Sequence, residues 1–527
     1  MPIRLEELAL SLDRTEDALG ALAAERLGID AASVAAVRIV RRSIDARRKP
    51  KVVFRYAVEV TLVDPSAEVE LIRRLSVQPV VAEPVEPLLR GTHPMRHRPV
   101  IVGTGPAGLF AGLLLAEEGY SPLLLERGQP VAQRADDHAR FLSTRCVNPE
   151  SNLLFGEGGA GTWSDGKLRT RTRSRWADWV LARLVQAGAP GDILYDARPH
   201  VGTDLLHHVI PRLRNRIESL GGEVRFGCRV EALERAGDAV RLASSGGPVV
   251  SETVIFAVGG SARDTFEAAA GGGVKLEAKP FQVGVRIEHP QELIDRAQFG
   301  SAAGHENLPK ADYELVYRGR PPHEHPVHTF CMCPGGEIVP TVSEAGRLCV
   351  NGMSPRSRSG PFADGALVWT ERIDDWAAGV AFQRGLEEQA FLLGGGDYAA
   401  PAQRVTDFLA GRPTTGELET SYRLGTRPTD LRKLFASEHL RSLASAIRFF
   451  GQRLSGFDGP RGVLVAIEAR VSCPVRMTRD PDTRRSVSFP AIYPVGEGAG
   501  YAGGIMSAAV DGMETAARIV GTYACTS

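Results

Sequence analysis

The sequence has few of the features that mark secreted, membrane-spanning or metal-binding proteins. Its seven cysteines are scattered, odd in number and without a C-x-x-C pair, which argues against a disulfide framework or a zinc knuckle. No stretch approaches the roughly 20 consecutive apolar residues of a spanning helix. The N-terminus carries acids where a signal peptide has a basic and then an apolar region. We therefore expect a cytoplasmic protein that makes no contact with membranes.

The chain also lacks net charge, since lysine plus arginine and aspartate plus glutamate each number 63. No overall field therefore attracts nucleic acid. Glycine, by contrast, is abundant, with 57 among 527 residues. An excess of glycine without a collagen period is typical of sharp turns and close approaches of the backbone to a ligand.

The pattern of predicted elements divides the chain into four segments. Residues 1–95 predict a small N-terminal α+β module, which ends in a proline-rich linker. Residues 96–270 alternate strand, turn and helix, and residues 271–460 predict an inserted α+β substrate domain. Residues 461–527 return to strand, glycine loop and helix. The predicted fold class is α/β, with a discontinuous Rossmann-like dinucleotide-binding domain formed by the second and fourth segments.

Residues 38–55 hold eight arginines or lysines against one acid, Asp45. Such a basic patch can bind RNA or an acidic partner, or it can be a solvated hairpin whose charge is balanced elsewhere. Phe54 and Tyr56 are the only aromatics of the module and lie in one predicted strand, which does not provide a platform for stacking bases. We expect no nucleic-acid partner.

The glycine pattern G-x-G-x-x-G occurs three times, and the match at residues 103–108 is complete. The predicted strand Val100–Val102 precedes it, and an apolar helix follows. The turn Gly103, Gly105, Pro106, Ala107 and Gly108 is therefore predicted to hold a pyrophosphate against a helix N-terminus. Glu126 ends the next strand, where an acid meets the hydroxyls of a free ribose, as in FAD or NAD.

The other two matches are incomplete. Residues 156–161 lead into polar residues rather than an apolar helix and therefore predict a loop. Residues 498–503 open a helix over Ile505–Val520, but no second strand fits before Ser527. One interrupted dinucleotide unit is the architecture of FAD enzymes, and no separate NAD(P) domain is predicted.

Long segments of the chain resemble the bacterial FAD-dependent dehydrogenase family of unassigned function, which is related to the p-hydroxybenzoate-hydroxylase-like and glutathione-reductase-type flavoproteins. The matching segments are SIDARRKPK (43–51), SNLLFGEGGAGTWSDGKL (151–168), AVGGSARDT (257–265), VGVRIEHPQ (283–291), CMCPGGEIVP (331–340), VNGMS (350–354), IEARVSCPVRM (467–477) and YPVGEGAGYAGGI (493–505). The chain departs from the family at Gly260, where relatives have histidine, and at Cys473, where they have serine.

The resemblance implies that further residues hold FAD. Val230 stands where relatives offer backbone groups to adenine, and Arg127 is placed beside it. Glu497 stands where relatives accept a ribityl hydroxyl, although they use aspartate. The helix that begins at Ile505 is placed to stabilise the negative charge of a reduced flavin. The remaining implied cofactor residues are Gly158, Gly159, Gly161, Lys167, Leu168, Ala257, Gly259, Gly496, Gly503 and Gly504.

The candidate catalytic residues are Lys167, Arg286 and His289. Lys167 either neutralises a reduced flavin, binds an acidic substrate or faces solvent, and His289 either donates a proton or ends a strand. His323, His325 and His328 lie in a loop broken by proline, so no metal site is predicted. Cys331 and Cys333 are either redox-active or buried small residues, and the second interpretation is favoured because nothing in the sequence indicates a lowered thiol pKa. Arg470 and Arg476 either clamp a carboxylate or form structural salt bridges.

These features predict an FAD-dependent oxidoreductase that acts on a small organic substrate by hydride transfer to or from flavin N5. NAD(P)H or another carrier is the expected transient electron donor or acceptor, and the protein is expected to be a monomer or a homodimer. Two alternatives remain open. One is a flavin-dependent enzyme that modifies RNA with the basic N-terminal module, and the other is a flavin redox sensor without turnover.

Overall fold

The structure is a computed structural model that describes residues 2–49, 51–75, 78–79, 87–169 and 174–525. Within these residues the strands are, in chain order, β1 (Ile3–Ser11), β2 (Val34–Asp45), β3 (Val53–Leu62), β4 (Gln78–Pro79), β5 (Val100–Val102), β6 (Leu123–Leu125), β7 (Glu223–Arg225), β8 (Val230–Ala236), β9 (Ala239–Ser244), β10 (Val249–Ser251), β11 (Val254–Phe256), β12 (Leu276–Ala278), β13 (Phe281–Pro290), β14 (Val316–Tyr317), β15 (Val327–Pro340), β16 (Val350–Met353), β17 (Phe362–Glu371), β18 (Ala400–Arg404), β19 (Thr426–Pro428), β20 (Val463–Glu468), β21 (Val475–Met477) and β22 (Ile492–Pro494).

The helices of the same residues are α1 (Leu19–Leu27), α2 (Pro65–Leu75), α3 (Pro106–Glu117), α4 (Val131–Thr144), α5 (Arg175–Gln186), α6 (Thr203–Ser219), α7 (Arg263–Gly271), α8 (Gln291–Phe299), α9 (Trp376–Leu393), α10 (Val405–Leu409), α11 (Ser437–Arg453) and α12 (Ile505–Val520). None of the helices in the described ranges is both long and apolar enough to cross a bilayer.

The chain forms two compact units. The first unit comprises Met1–Pro87, Pro190–Pro199 and Glu292–Ala311, and the second comprises Leu88–Ala189, His200–Gln291 and Asp312–Ser527. The first unit thus contains two short segments besides the N-terminal module, Pro190–Pro199 and Glu292–Ala311. From the sequence, the former is placed within residues 96–270 and the latter within residues 271–460, because nothing in their own sequence indicates which unit they pack against.

The first unit is built on an antiparallel sheet with the order β2-β3-β1-β4. The predicted helix is α1, which ends at Gly28 in the left-handed conformation that glycine adopts readily. The sequence prediction missed strand β1, which pairs along β3 from Ile3 to Ser11. Its apolar residues include Ile3, Leu5, Leu8 and Leu10, whose spacing shifts where a bulge separates Leu5 from Leu8.

Carboxylates of the first unit neutralise much of its basic patch. Arg42 lies 2.8 Å from Asp196, 3.2 Å from Glu16 and 3.3 Å from Asp192. Asp45 binds Arg47 at 2.8 Å and Arg55 at 3.4 Å, and Arg38 pairs with Glu59. Because these arginines are already paired with carboxylates, the patch has little free positive charge with which to displace counterions from RNA phosphates.

The second unit contains a five-stranded sheet with the order β22-β11-β5-β6-β7. All of its neighbouring strands are parallel. The mixed α/β architecture with a parallel sheet fits the predicted Rossmann-like fold. Strand β22, from the end of the chain, lies beside β11, so residues more than 200 positions apart complete one sheet.

An eight-stranded sheet forms the other main layer of the second unit, with the order β14-β15-β17-β13-β20-β18-β19 and with β16 paired to β15. Strand β20 lies here, between β13 and β18, although the segment after residue 460 had been predicted to return to the dinucleotide-binding sheet. All six residues of β20 are buried. The first five residues of this short strand, Val463–Ile467, are apolar and fit the interior of either sheet, so they do not select one.

We expect the protein to show no salt-sensitive binding to structured RNA, because four of the arginines in the basic patch, Arg38, Arg42, Arg47 and Arg55, are paired with carboxylates. The measurement is fluorescence anisotropy of a labelled RNA hairpin at 50 and 200 mM salt. Micromolar binding that weakens steeply with salt, and that is lost in the combined variant Arg41→Ala, Arg47→Ala and Arg48→Ala, would reverse this conclusion. That variant spares Arg42 and its three carboxylate partners.

Candidate functional site

The site lies where the order of the parallel sheet reverses. Strand β5 is flanked by β6 on one side and β11 on the other. Ligands of doubly wound sheets bind outside the carboxyl ends of the strands at such a switch point. The residues that follow β5, β6, β11 and β22 are respectively Gly103, Glu126, Ala257 and Val495, so the predicted cofactor segments meet at one edge of the sheet.

The turn after β5 needs glycine for two different reasons. Gly103 has φ +99°, and a Cβ there would collide with the carbonyl of Ala257. A Cβ on Gly108 would collide with the carbonyl of Gly103. A Cβ on Gly105, in contrast, would meet nothing within 4 Å. Gly105 precedes helix α3 without any capping side chain, so open space lies where the free N–H groups of a helix attract a pyrophosphate.

Glu126 is buried and fully engaged by the protein. One carboxylate oxygen accepts hydrogen bonds from the amide of Thr104 at 2.9 Å and its hydroxyl at 2.7 Å. The other accepts from the amides of Gly128 at 2.9 Å and Gly156 at 3.0 Å. These four donors fill the lone-pair positions of a carboxylate. Glu126 thus positions the turn and the loop that surround the cofactor, and its contact with a ribose hydroxyl stays a prediction.

Arg127 and Val230 also hold structural positions. The guanidinium of Arg127 lies 4.1 Å from the centre of the Phe155 ring and is bonded to Asp264 at 2.8 Å and Glu150 at 3.1 Å. Val230 is buried at the start of β8. The structure thus places Arg127 on the loop side of the site and gives it protein partners, and adenine contacts of Arg127 and Val230 remain predictions.

The loop at residues 156–161 packs directly on the turn. The amide of Gly158 donates to the carbonyl of Thr104 at 2.9 Å. A Cβ on Gly159 would lie 3.0 Å from the Cα of Gly105, and a Cβ on Gly161 would lie 3.2 Å from the side chain of Ile505. The second glycine match therefore adjoins both the first match and the start of α12. It was predicted as a loop, and the structure has a short 3-10 helix there, over Gly159–Trp163.

The third glycine match provides the other wall. Helix α12 begins at Ile505 with Gly504 as its N-cap, no capping side chain is bonded there, and Gly503 and Gly504 are exposed. Glu497 uses one oxygen to accept from the amide of Cys473 at 2.8 Å, while its other oxygen faces Gly503. That oxygen is placed to accept a ligand hydroxyl. Gly496 has φ +74° and is held through its amide by Asp511 at 2.7 Å.

Both departures from the family pattern occur at one point of this wall. A Cβ on Gly260 would lie 3.2 Å from the side chain of Glu497 and 3.4 Å from the Cβ of Cys473. The larger residue of relatives at position 260 would thus press on both neighbours. Gly259, beside it, has φ +73° and open space where a Cβ would stand, which leaves room for a ligand on this side.

Lys167 and Arg286, two of the candidate catalytic residues, both bind backbone carbonyls of strand β15. Lys167 donates from Nζ to the carbonyl of Met332, and Arg286 donates to the carbonyl of Cys331 at 3.2 Å. Burial acts to lower the pKa of Lys167, but Asp165 and the two nearby thiols outweigh it and raise that pKa. Lys167 therefore keeps its positive charge. Leu168, next in sequence, is buried.

Arg286 is completely buried between two carboxylates. It bonds to Asp364 and, at 3.1 Å, to Glu468. Burial raises the pKa of Asp364 to about 6 and that of Glu468 to about 7, against the attraction of the arginine. One atom of each of the three side chains has no hydrogen-bond partner within the described ranges. Arg286 thus pairs with both carboxylates, and its guanidinium is buried where a substrate does not reach it.

His289 does not join this group. Residues 286 and 289 differ by an odd number of positions on β13, so their side chains point to opposite faces of the sheet. His289 is fully buried, packs 4.7 Å from the ring of Phe457 and contacts its carbonyl at 2.8 Å. Burial lowers its pKa to about 4. It is a neutral core histidine, which corrects its prediction as a proton donor at the site.

Cys331 belongs to the site, although it is not among the candidate catalytic residues predicted from the sequence. Residue 331 is partly exposed, whereas Cys333 is fully buried. A hydrogen bond from the Cys333 thiol, aided by Lys167 and Arg286, outweighs burial and lowers the pKa of Cys331 to about 6. The repeated cysteine of C-M-C was the available signal, but sequence does not reveal that Lys167 comes to lie beside it.

Two further predictions concern charged side chains outside this group. His325 lies with Glu438 and His439, whose ligand atoms are all within 4.8 Å of one another, and these three residues could hold a metal ion. His323 and His328 are not part of that cluster. Arg470 forms a bidentate salt bridge to buried Glu387, at 2.8 and 2.9 Å, which favours the structural interpretation of this arginine.

Comparison with known proteins shows the family to which the chain belongs. A family model described as "FAD-dependent protein, C-terminal domain-like" matches residues 280–471, and a domain of unknown function matches residues 2–61. An uncharacterized protein of Clostridium beijerinckii (strain ATCC 51743 / NCIMB 8052) is 40% identical over 531 residues, covering 99% of both chains. The chain belongs to this family of bacterial FAD-dependent proteins of unassigned function. FAD is its cofactor, as predicted.

Two solved flavoproteins are similar to this chain only at low identity and low TM-score. CtdE in complex with FAD is 12% identical, covers 79% of this chain and 82% of its own, and has a TM-score of 0.34. NikD, an amino acid oxidase of nikkomycin biosynthesis, is 13% identical, covers 81% and 94%, and has the same TM-score. The family assignment rests on the sequence matches instead.

We expect Glu126→Ala to weaken the apoprotein as well as FAD binding, because three buried amides lose their acceptor. An unsatisfied buried donor costs about 1–3 kcal/mol, so the free energy of unfolding should fall by at least about 2 kcal/mol in urea titrations. Glu150→Ala, which removes a partly exposed partner of Arg127, is the matched control and should change stability little. Weaker FAD binding with unchanged apoprotein stability would instead favour the ribose contact.

Proposed function

We propose that the protein is an FAD-dependent oxidoreductase that acts on a small organic molecule by hydride transfer to or from flavin N5. The observation that carries the proposal is the convergence of three glycine segments and two uncapped helix N-termini around open space, next to a buried charged cluster. The FAD-dependent family supports the flavin part of the proposal.

The residues around the open space suit an anionic cofactor. Helices α3 and α12 both present free N–H groups there, and helix N-termini favour negative charge. Gly105, Gly259 and Gly504 all leave room where other residues would place a Cβ. FAD supplies the exchange of a hydride at N5 when it is bound, and the protein supplies shape and charge.

The loop that continues from Gly161 to Lys167 joins this space to strand β15. Lys167 remains cationic and is anchored to the carbonyl of Met332. Asp165, which is fully buried, fixes the loop through Arg358 at 2.7 Å and through Ser354. A fixed cation at this position is suited to holding an anionic group of a substrate or the charge of a reduced cofactor.

A redox sensor without turnover is the alternative that the site allows. Turnover separates the two functions. Rapid-mixing experiments with NADH, NADPH and oxygen should show bound flavin reduced and then reoxidised over many cycles if the protein is an enzyme. Reduction by no carrier, with a change only in binding or shape on chemical reduction, would favour the sensor.

We expect the purified protein to be yellow and to release FAD, not FMN, on denaturation. Gly105→Val should lower FAD occupancy at least tenfold, because the valine side chain fills the space left for the pyrophosphate. Gly385→Val is the matched control, since a Cβ there also meets nothing within 4 Å but lies on helix α9. Occupancy is measured by absorbance and chromatography of the released flavin. Full FAD occupancy in Gly105→Val would show that the cofactor lies elsewhere.

A further inference from the structure

Cys331 and Cys333 lie two residues apart on a distorted part of strand β15. The pairing of β15 with β17 is interrupted between Phe330 and Cys333 and again between Cys333 and Gly336. Cys331 has φ +42°, a left-handed conformation that side chains other than glycine rarely adopt. The bend brings the Cys333 sulfur to 3.4 Å from the carbonyl oxygen of Cys331. The Cys333 side chain therefore turns back toward residue 331 instead of standing apart along a regular strand, and the two thiols interact.

The two thiols have unequal surroundings. Cys331 is partly exposed and Cys333 is fully buried. The carbonyls of Cys331 and Met332 are held by Arg286 and Lys167, so both cations lie against this segment. Positive neighbours stabilise a thiolate, and the thiolate is the reactive form of cysteine. Cys331 is thus suited to be the thiolate that attacks an external disulfide, and Cys333 is suited to be the second thiol, which reacts after it.

A buried carboxylate stands behind Cys333. Asp364 is the register partner of Cys333 on β17, so their side chains are close neighbours. Asp364 is fully buried, and Oδ2 has no hydrogen-bond partner within the described part of the chain. A Cβ on Gly336 would lie 2.9 Å from both this oxygen and the Cβ of Cys333. The free oxygen and the Cβ of Cys333 therefore lie beside the same glycine, which places the carboxylate near the base of the Cys333 side chain.

We propose that Cys331 and Cys333 are a redox-active dithiol that reduces an external disulfide, with Asp364 as the proton acceptor of Cys333. The Cys331 thiolate attacks one sulfur of the substrate, forming a mixed disulfide and releasing the first thiolate. Cys333 passes its proton to Asp364 and attacks the Cys331 sulfur, which releases the second thiolate. The protein dithiol loses two electrons and becomes a disulfide, the external disulfide gains them, and the proton on Asp364 leaves with the products.

This activity goes beyond hydride exchange with a small organic molecule and does not depend on it. Every sulfur–sulfur bond that forms or breaks lies between the two cysteines and the external disulfide, and the one proton transfer within the protein is from Cys333 to Asp364. The flavin is not needed for a single turnover, so the dithiol can be tested on protein as purified and scored by mass. Failure of the dithiol would leave the proposed oxidoreductase untouched.

The charged groups that face Cys331 come from five elements and set its reactivity. They are Cys333 on β15, Lys167 and Asp165 on the loop, Arg286 on β13, Asp364 on β17 and Glu468 on β20. The two cations and the Cys333 thiol favour the thiolate, whereas the carboxylates oppose it. Their balance lowers the pKa of Cys331 to about 6.

The first measurement is the rate of iodoacetamide labelling against pH, read by peptide mass spectrometry. We expect Cys331 to label with a midpoint near pH 6, and at pH 6 about tenfold or more faster than exposed Cys146. Lys167→Met and Cys333→Ala should each move the midpoint upward, because each removes a group that stabilises the thiolate. Lys433→Met, at an exposed lysine of the same unit, is the matched control and should leave it unchanged.

The second measurement is equilibration in glutathione buffers of stepwise changing ratio, followed by acid quenching and mass analysis. We expect one peptide that contains both cysteines to become lighter by two hydrogen atoms in a single transition. Cys331→Ser and Cys333→Ser should each abolish the transition, and Cys146→Ser should retain it. Cys333→Ser should also trap a mixed disulfide between Cys331 and glutathione.

Any of three results would overturn the proposal. The first is that Cys331 labels no faster than Cys146 at pH 6. The second is that no disulfide between Cys331 and Cys333 forms even in fully oxidised glutathione. The third is that glutathione remains attached to Cys331 while Cys333 is intact. Circular dichroism of each variant separates loss of the dithiol from loss of the fold.

Discussion

The carboxylate of Glu126 joins three segments that are distant in sequence. It accepts hydrogen bonds from three backbone amides: that of Thr104 in the turn, that of Gly128 two residues further along the chain, and that of Gly156 at the start of the glycine loop. A buried amide without an acceptor is costly, so each segment is held at the place where its amide meets this carboxylate. The shape of the cofactor space depends on that constraint, because the turn and the loop form two of its walls.

The glycine segments around this space illustrate how one ligand site can arise from incomplete motifs. Only the turn at Gly103–Gly108 meets every requirement of a dinucleotide fingerprint. The loop at 156–161 contributes close packing on Gly105, and residues 503–504 contribute the open start of helix α12. Each segment provides one physical property, and the second unit brings the three properties together.

The charged cluster beside strand β15 is held by electrostatic pairing. One buried arginine, Arg286, binds two buried carboxyl groups, those of Asp364 and Glu468, and burial raises the pKa of both. Buried polar atoms without partners are expensive, and natural proteins keep them mainly where they serve a function. Three of them, on Arg286, Asp364 and Glu468, belong to the charged cluster that acts on Cys331.

The sequence alone determined the class of fold, the turn at Gly103–Gly108 and FAD, because these depend on local order: strand, glycine turn, helix and strand within one continuous stretch. It also placed Lys167 and Arg286 among the candidates. Tertiary structure decided the rest. Which sheet receives β20, why Glu126 turns to the backbone, why His289 faces away from Arg286 and how Lys167 reaches Cys331 all depend on contacts between residues far apart in the chain. Periodicity and spacing describe a residue's own element, whereas the charge and hydrogen bonds around a side chain are set by the elements that pack against it.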